Sequence, residues 1–458
     1  IYYLYDSSRR ANNNPHGHNG QMLSNAGIET SDYFSGVIVD NDNVWDAANQ
    51  ASGVDAHVYA AKVYDYLLNS SKGWSLNSFD GNGSSMNTMV EYSSPNDAGW
   101  NPNSLYVYFG VGSDKKPFSG ALDAVGHEWA HGVTQYASNL NYEKESGALN
   151  EAFSDWMGTA VEYFYGESNW TIGEGIVIIR DLQNPLNPIL ANVVINGQTY
   201  DFRQPDTYGG YLWYPTIGCT PTSYNDWCGV HTNSGVSNKM FYLLSQGGTH
   251  SVSNITVQGI GIVNAIKIAF KANDERWPNN ATFQNALDGM VFIANRDYST
   301  NEVYQVKNAW AAVGVGTIPV VTANASTGGT VSGSGSYSWG ATVALTATPN
   351  TGYAFVNWTE NGVEVSTSAS YTFTADGDRT LVANFAPAPQ ISVTPTSWNF
   401  GSFYVWNPSP YKTFTVTNVG LQSLTIQSIS ITGTNAIDFS YIDMCTGDVL
   451  SPSWNCTR

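Results

Sequence analysis

Short aromatic and β-branched runs alternate with Asn/Gly/Ser turns over residues 1–120, the two-residue period of half-buried strands. One stretch there changes period. In Val54 to Leu68 (VDAHVYAAKVYDYLL) the apolar positions recur every three or four residues, which predicts one buried helix. From 121 to 316 the helical period dominates, with helices predicted over Ala121–Tyr136, Ala148–Tyr165, Ser234–Ser245, Ile260–Ala272, Ala281–Asn295 and Val303–Val313. Long loops fill the interval from about 175 to 230.

After Gly314-Val315-Gly316 the helical period disappears, and alternating Thr/Val/Ser/Gly runs such as TVALTATP take over, which marks a domain boundary. The APAP segment, Ala386 to Pro389, reads as a short stiff linker. The pattern therefore predicts an α+β domain with a β-rich half (1–120) and a mainly helical half (121–316). Two small all-β modules (320–385 and 390–458) follow, the second without an obvious closing strand.

Composition narrows the class. Asp and Glu number 37 against 18 Lys and Arg, a formal charge of −19, which disfavours a nucleic-acid partner. Only 12% of residues are charged, against roughly 25% in average globular proteins. Polar uncharged surfaces of this kind suit a secreted, extracellular chain. No uninterrupted apolar run approaches the roughly 18 residues of a membrane span. The opening IYYLYDSS has neither a basic start nor an apolar signal core, so it reads as a processed chain beginning within a strand. The four cysteines form two local pairs, Cys219 with Cys228 and Cys445 with Cys456. Two short disulfide loops are the simplest reading, and four free thiols the alternative.

His127-Glu128-Trp129-Ala130-His131 is an H-E-x-x-H motif in a helical run. Residues i and i+4 share a helix face, so both imidazoles reach one ion while Glu128 stands beside it as a proton acceptor. A catalytic zinc takes three protein ligands. Glu151 in GALNEAFSD can supply the third, and Asp155, four residues on, can fix the tautomer of a zinc-bound histidine. Without the upstream motif the same acids would read as a solvated helix face.

HEWAH, GALNEAFSD and GVHTNSG, in this order, resemble the thermolysin family of zinc neutral endopeptidases over about residues 1–316, as do VDAHVYAAKVYDY, SFDGNG and AWAAVGVG. The resemblance implies a secreted zinc endopeptidase, with its active site between the β-rich and helical halves, that hydrolyses internal peptide bonds of protein or peptide substrates with zinc-activated water. One zinc would be held by His127, His131 and Glu151, with Glu128 as general base and Asp155 behind His127. It further implies that His231, oriented by Asp226, and Tyr142 stabilise the oxyanion, and that Arg180 contacts a substrate carbonyl. By sequence alone His231 reads more readily as a loop histidine, so its role rests on the resemblance. Apolar side chains after the scissile bond are expected, near Ala124 and Ile179.

The same resemblance implies at least one structural calcium, through Asp123, Glu162 and Glu174. Asn169 and Thr171 stand where a second ion would need carboxylates, so one calcium is expected. Asp40 and Asp42 match another weak site or simply an Asp/Asn turn. His57 reads as a packed boundary residue, while His16, His18 and His250 receive no chemistry. Asp97 replaces an expected substrate-binding asparagine, and the segment from Tyr208 to Gly229, with Trp213 and Trp227, is rebuilt.

Residues 320–385 resemble a small repeat module appended to bacterial extracellular proteins, and those from 390 onward resemble Ig-like modules. Their aromatics, Tyr353, Trp358, Trp398 and Trp406, suit core packing or a platform for surface or polymeric substrate. Two rival readings stand beside the endopeptidase: a catalytically silent adhesive protein, and a zinc aminopeptidase.

Overall fold

The computed structural model describes residues 2–3, 5–6, 28–32, 36–37, 39–40, 48–69, 74–92, 97–110, 117–195, 197–402 and 411–457. Asp42, His16, His18 and Trp406 lie outside them, as does the side chain of Asp40. The chain divides into two compact units, Ile1–Thr317 and Ile318–Arg458.

The first unit is an α+β fold. Its main sheet runs Tyr5–Asp6, Ile28–Asp32, Met86–Tyr92, Tyr106–Gly110, Ala98–Asn101, with Ala98–Asn101 at the edge and antiparallel to its neighbour. Helix α1 (Ala48–Leu68) buries Ala56, Ala60, Val63 and Leu67, the helical spacing that the sequence displays. It starts six residues earlier than the apolar period predicts because polar contacts hold its first turns. Buried Ser52 donates from Oγ to Glu91 Oε1 at 2.7 Å, and its carbonyl accepts from Ser119 Oγ at 3.0 Å.

The helical half holds α2 (Leu122–Tyr136), α3 (Lys144–Phe164), α4 (Asp226–Gln246, non-helical at Trp227, Cys228 and Gly229), α5 (Ile262–Glu275), α6 (Phe283–Asp297) and α7 (Thr300–Ala312). α3 begins at Lys144 and not at Ala148, with Glu145 accepting from Tyr208 Oη at 2.7 Å and from the Phe283 amide at 2.9 Å. Trp129, Phe153, Trp156 and Phe241 are fully buried, and Trp156 stacks on Phe241 at 4.9 Å. α2 and α3 cross closely because Gly126 and Gly158 meet at the crossing. A Cβ on Gly158 would lie 2.5 Å from the Asp123 carbonyl oxygen. No helix among the described residues is long and apolar enough to cross a membrane.

The second unit is all β. A five-stranded sheet contains Val320–Ala325, Tyr353–Glu360 and Arg379–Pro387, and a three-stranded sheet contains Gly329–Ser332, Thr342–Pro349 and Ser370–Thr374. Alternate residues of Thr342–Pro349 point into a core with Val321, Leu381 and Trp358. Trp358 is therefore a core residue and cannot serve in an exposed platform. Trp398 is exposed, with Lys412 Nζ 3.8 Å from its ring centroid. The APAP segment is not a free spacer: Ala386 and Pro387 end a strand, and the Ala388 amide donates to the Gly352 carbonyl at 2.8 Å. Beyond it, Ile391–Thr394, Thr415–Asn418 and Asn455–Thr457 form a three-stranded sheet, so a last strand does pair where none was expected.

Candidate metal centre

α2 carries His127 and His131 one turn apart, and α3 brings Glu151 against them. The two imidazole Nε2 atoms lie 3.1 Å apart, with Glu151 Oε2 3.5 Å from that of His127 and Glu151 Oε1 3.5 Å from that of His131. Four ligands at zinc bond lengths of about 2.0–2.1 Å sit at tetrahedron corners about 3.3 Å apart. Three donors are thus spaced for one zinc ion.

Each imidazole is oriented from behind. Asp155 Oδ1 lies 2.8 Å from His127 Nδ1, while Asn150 Oδ1 lies 2.7 Å and Ser154 Oγ 3.2 Å from His131 Nδ1. Acceptors on both Nδ1 atoms direct the Nε2 lone pairs at one another, which requires a cation or a proton between them. Burial lowers the His131 pKa to about 4, leaving it neutral. Burial also disfavours charge on His127, but Asp155 and Glu151 outweigh it and raise its pKa to about 10. Glu151 is buried, and its Oε2 has no hydrogen-bond partner. Burial pushes this carboxyl up, yet His231, His127 and His131 hold it well below the usual carboxylate range. A buried, ionised and half-unpaired carboxylate beside two imidazoles fits a divalent metal.

Glu128 presents a carboxylate oxygen within 4.8 Å of ligand nitrogens of His127 and His131. It is buried, and that burial raises its pKa to about 7. A carboxyl poised near neutrality suits proton abstraction.

On the far side, Tyr142 Oη donates to Glu151 Oε1 and lies 3.1 Å from His231 Nε2. His231 Nδ1 is 2.5 Å from Asp226 Oδ1, and Asp226 Oδ2 accepts from the amides of His231 and Thr232 at 2.9 and 3.1 Å. Partial loss of hydration works against a charged His231, whose side chain stays half exposed, but Glu151 and Asp226 outweigh it and raise its pKa. Arg180 is buried, with Nε 2.9 Å from Asp155 and Nη1 3.8 Å from Glu151. All nine residues anticipated for this centre therefore converge. Asn150 and Ser154 escaped the sequence reading although their i, i+4 spacing puts them beside Glu151 and Asp155 on α3. Asn238, which donates to Asp155 Oδ2 at 2.8 Å, gives no sequence signal.

A second acidic cluster joins Asp123, Glu162 and Glu174, with ligand oxygens within 4.8 Å of one another. Burial, then Glu162 and Glu174, raises the Asp123 pKa well above normal, and burial with Glu174 and Glu167 raises Glu162 to about 7. Glu174 Oε2 is buried without a hydrogen-bond partner. Asn169 Nδ2 donates to Glu162 Oε2 at 3.1 Å and Thr171 Oγ1 donates to Glu174 Oε1, so these neutral residues partly satisfy the carboxylates. His57 Nδ1 lies 3.1 Å from Thr30 Oγ1, and buried His250 has Nε2 3.2 Å from the Asp206 carbonyl oxygen.

The signature of the thermolysin metallopeptidase catalytic domain matches residues 1–135, that of the thermolysin metallopeptidase alpha-helical domain residues 138–315, and that of a divergent InlB B-repeat domain residues 320–389. Bacillolysin of Bacillus cereus is 35% identical over 69% of this chain and 51% of its own length. Neutral protease NprE of Bacillus pumilus is 34% identical over 59% of this chain and 79% of its own. The chain thus spans about half the length of the first of these relatives. The solved precursor of protealysin, a metalloproteinase from Serratia proteamaculans, aligns over 66% of this chain and 91% of its own, with 24% identity and a TM-score of 0.49.

Proposed function

The chain belongs to the thermolysin metallopeptidase family, and from that membership we propose that it is a secreted zinc-dependent endopeptidase acting on proteins and peptides. The observation that carries the reading is the 3.1–3.5 Å triangle of His127, His131 and Glu151 with Glu128 beside it. When bound there, zinc supplies Lewis acidity to the scissile carbonyl and to the attacking water.

The chain's own residues do the rest. Glu128 accepts the proton of the water as its oxygen bonds to the carbonyl carbon, and then delivers that proton to the amine nitrogen as the C–N bond breaks. His231 and Tyr142 donate hydrogen bonds to the carbonyl oxygen as it gains negative charge, and Asp226 holds the His231 ring for that task. Asp155 fixes His127, and Arg180 balances the buried charge of Asp155 and Glu151 while it stands ready to contact a substrate carbonyl. No acyl-enzyme forms, so no Ser or Cys nucleophile is required.

Asp123, Glu162 and Glu174 would hold one structural calcium, supported by the raised pKa values of Asp123 and Glu162 and by the Glu174 oxygen without a hydrogen-bond partner. The disulfides Cys219–Cys228 and Cys445–Cys456 support an oxidising, extracellular setting. Preference for an apolar side chain after the scissile bond rests on the family resemblance. Anchoring of polymeric substrate by the β-modules is supported by exposed Trp398. The test is digestion of an end-blocked peptide library with mass-spectrometric mapping. Internal cleavage before apolar residues, stopped by phenanthroline and restored by zinc, is expected. Cleavage confined to free N-termini would instead favour the aminopeptidase, and metal binding without any cleavage the silent adhesive protein.

A further inference from the structure

Asp226, Trp227, Cys228 and Gly229 run consecutively through left-handed backbone, at φ of 53°, 50°, 70° and 82°. Three of the four are L residues with side chains, for which this region is unfavourable. At Gly229 a Cβ would lie 2.5 Å from Tyr214 Cβ, so the glycine also permits the close approach of another part of the loop. A run of this kind persists only where its surroundings over-determine it.

Several contacts hold it. The Trp227 amide donates to the Thr222 carbonyl at 2.8 Å. Asn225 Oδ1 accepts from the amides of Thr222 and Cys228 at 2.9 and 3.2 Å. Asn233 grips Tyr214 from both sides, its Oδ1 and Nδ2 each 2.9 Å from the backbone of that residue. The covalent member of the set is Cys219–Cys228, which closes nine residues of chain with fully buried Cys228 at its end. The product of the turn is the placement of Asp226, whose two oxygens meet the ring and the backbone of His231. The His231 side chain is itself half exposed, so packing does little to hold it.

We propose that the Cys219–Cys228 disulfide is a positioning element for His231, acting through Asp226. This rests on the peptidase reading above only for its kinetic consequence. Without the bond, the left-handed run relaxes, the Asp226 carboxylate leaves its place under the imidazole, and the oxyanion donor is misaimed. The zinc ligands on α2 and α3 are untouched, since none is carried by this loop.

Cys219→Ser is the cleanest break, because it leaves Cys228 in its buried seat. On an internally quenched peptide it should lower kcat by about 10- to 100-fold, up to the roughly 100-fold that a misplacement of about 1 Å can cost and short of the roughly 100- to 1,000-fold of losing an oxyanion donor outright, with KM and zinc content close to those of the parent. Cys219→Ser/Cys228→Ala, a second route to the same break, should match it. Cys445→Ser/Cys456→Ser, in the other unit, should leave kcat unchanged. The decisive comparison is a double-mutant cycle: in an Asp226→Asn background the loss of the disulfide should cost nothing further. A kcat within twofold of the parent for Cys219→Ser, or a loss of equal size in both backgrounds, would overturn the proposal. Imidazole-nitrogen NMR of histidine-labelled protein gives an arm independent of catalysis. The downfield Nδ1 proton of His231 should be present in the parent and lost in Cys219→Ser, and its persistence in the variant overturns the proposal. If the parent cleaves nothing, the peptidase reading fails alone, and this arm still decides the positioning claim.

Discussion

Asp155→Asn keeps the size and shape of the side chain and removes its charge, which makes it a sharp probe of how the centre is held together. Asp155 is fully buried and receives three donors: His127 Nδ1 at 2.8 Å, Arg180 Nε at 2.9 Å and Asn238 Nδ2 at 2.8 Å. Asparagine retains one acceptor oxygen and turns the other position into a donor that faces another donor. The Arg180 guanidinium is then left with Glu151 Oε2, 3.8 Å away, as its remaining ionic partner. Removing one member of a buried ion pair costs about 3–5 kcal/mol. One retained hydrogen bond puts the loss near the lower end. Loss of the carboxylate behind a ligating histidine weakens zinc binding about 10- to 100-fold, or about 1.4–2.8 kcal/mol. Competition against a chromogenic chelator reads the affinity, and thermal unfolding of the zinc-saturated protein reads the stability. A melting point at least about 5 °C lower is expected. Zinc affinity within twofold of the parent, with an unchanged melting point, would refute the argument that Asp155 both orients His127 and neutralises Arg180.

Glu128→Gln should bind zinc as the parent does yet lose at least about 100-fold in kcat, and retained turnover would exclude Glu128 as the base. Its buried carboxyl is raised to about 7, and a neighbouring cation can only lower that value. The parent kcat/KM should therefore rise with pH along a limb at or below pH 7, and a limb centred above pH 8 would point to another base. Gly158→Ala places a methyl 2.5 Å from a backbone oxygen that cannot step aside; overpacking of about 1–3 kcal/mol should outweigh the roughly 1 kcal/mol gained in helix propensity. A melt showing a more stable protein would contradict the close α2–α3 crossing. Glu162 is raised from 4.5 to about 7, so it binds its proton more tightly in the folded state. Chelator-treated protein should accordingly lose stability as pH climbs from about 4.5 to 7, and calcium should restore it. Melting that is independent of both pH and calcium would remove the ion from that cluster.

Chemistry on regular helices was legible in the chain, because helical spacing alone puts His127 beside His131 and Glu151 beside Asp155. The apolar periods likewise reveal where α5, α6 and α7 lie, since each buries an apolar stripe. Where polar contacts set a boundary, the pattern falls silent. α1 and α3 start early on the hydrogen bonds of Ser52 and Glu145, which leave no hydrophobic trace. Asn238 reaches Asp155 across 83 residues of sequence, a contact that only tertiary packing creates. Trp358 was open to two readings until the strand pairing of its module turned it inward. The left-handed turn at 226–229 was equally hidden, because three of its residues are types that seldom adopt such backbone.

One zinc ion should be shared by two helices through His127, His131 and Glu151. Crystals of the zinc-loaded protein, measured on both sides of the zinc absorption edge, test it directly. A single anomalous peak is expected about 2.0–2.2 Å from the two imidazole Nε2 atoms and a Glu151 oxygen, with Glu128 close by but unbonded to it. A peak ligated by Glu128 in place of Glu151, or no peak between the imidazoles at saturating zinc, would contradict it.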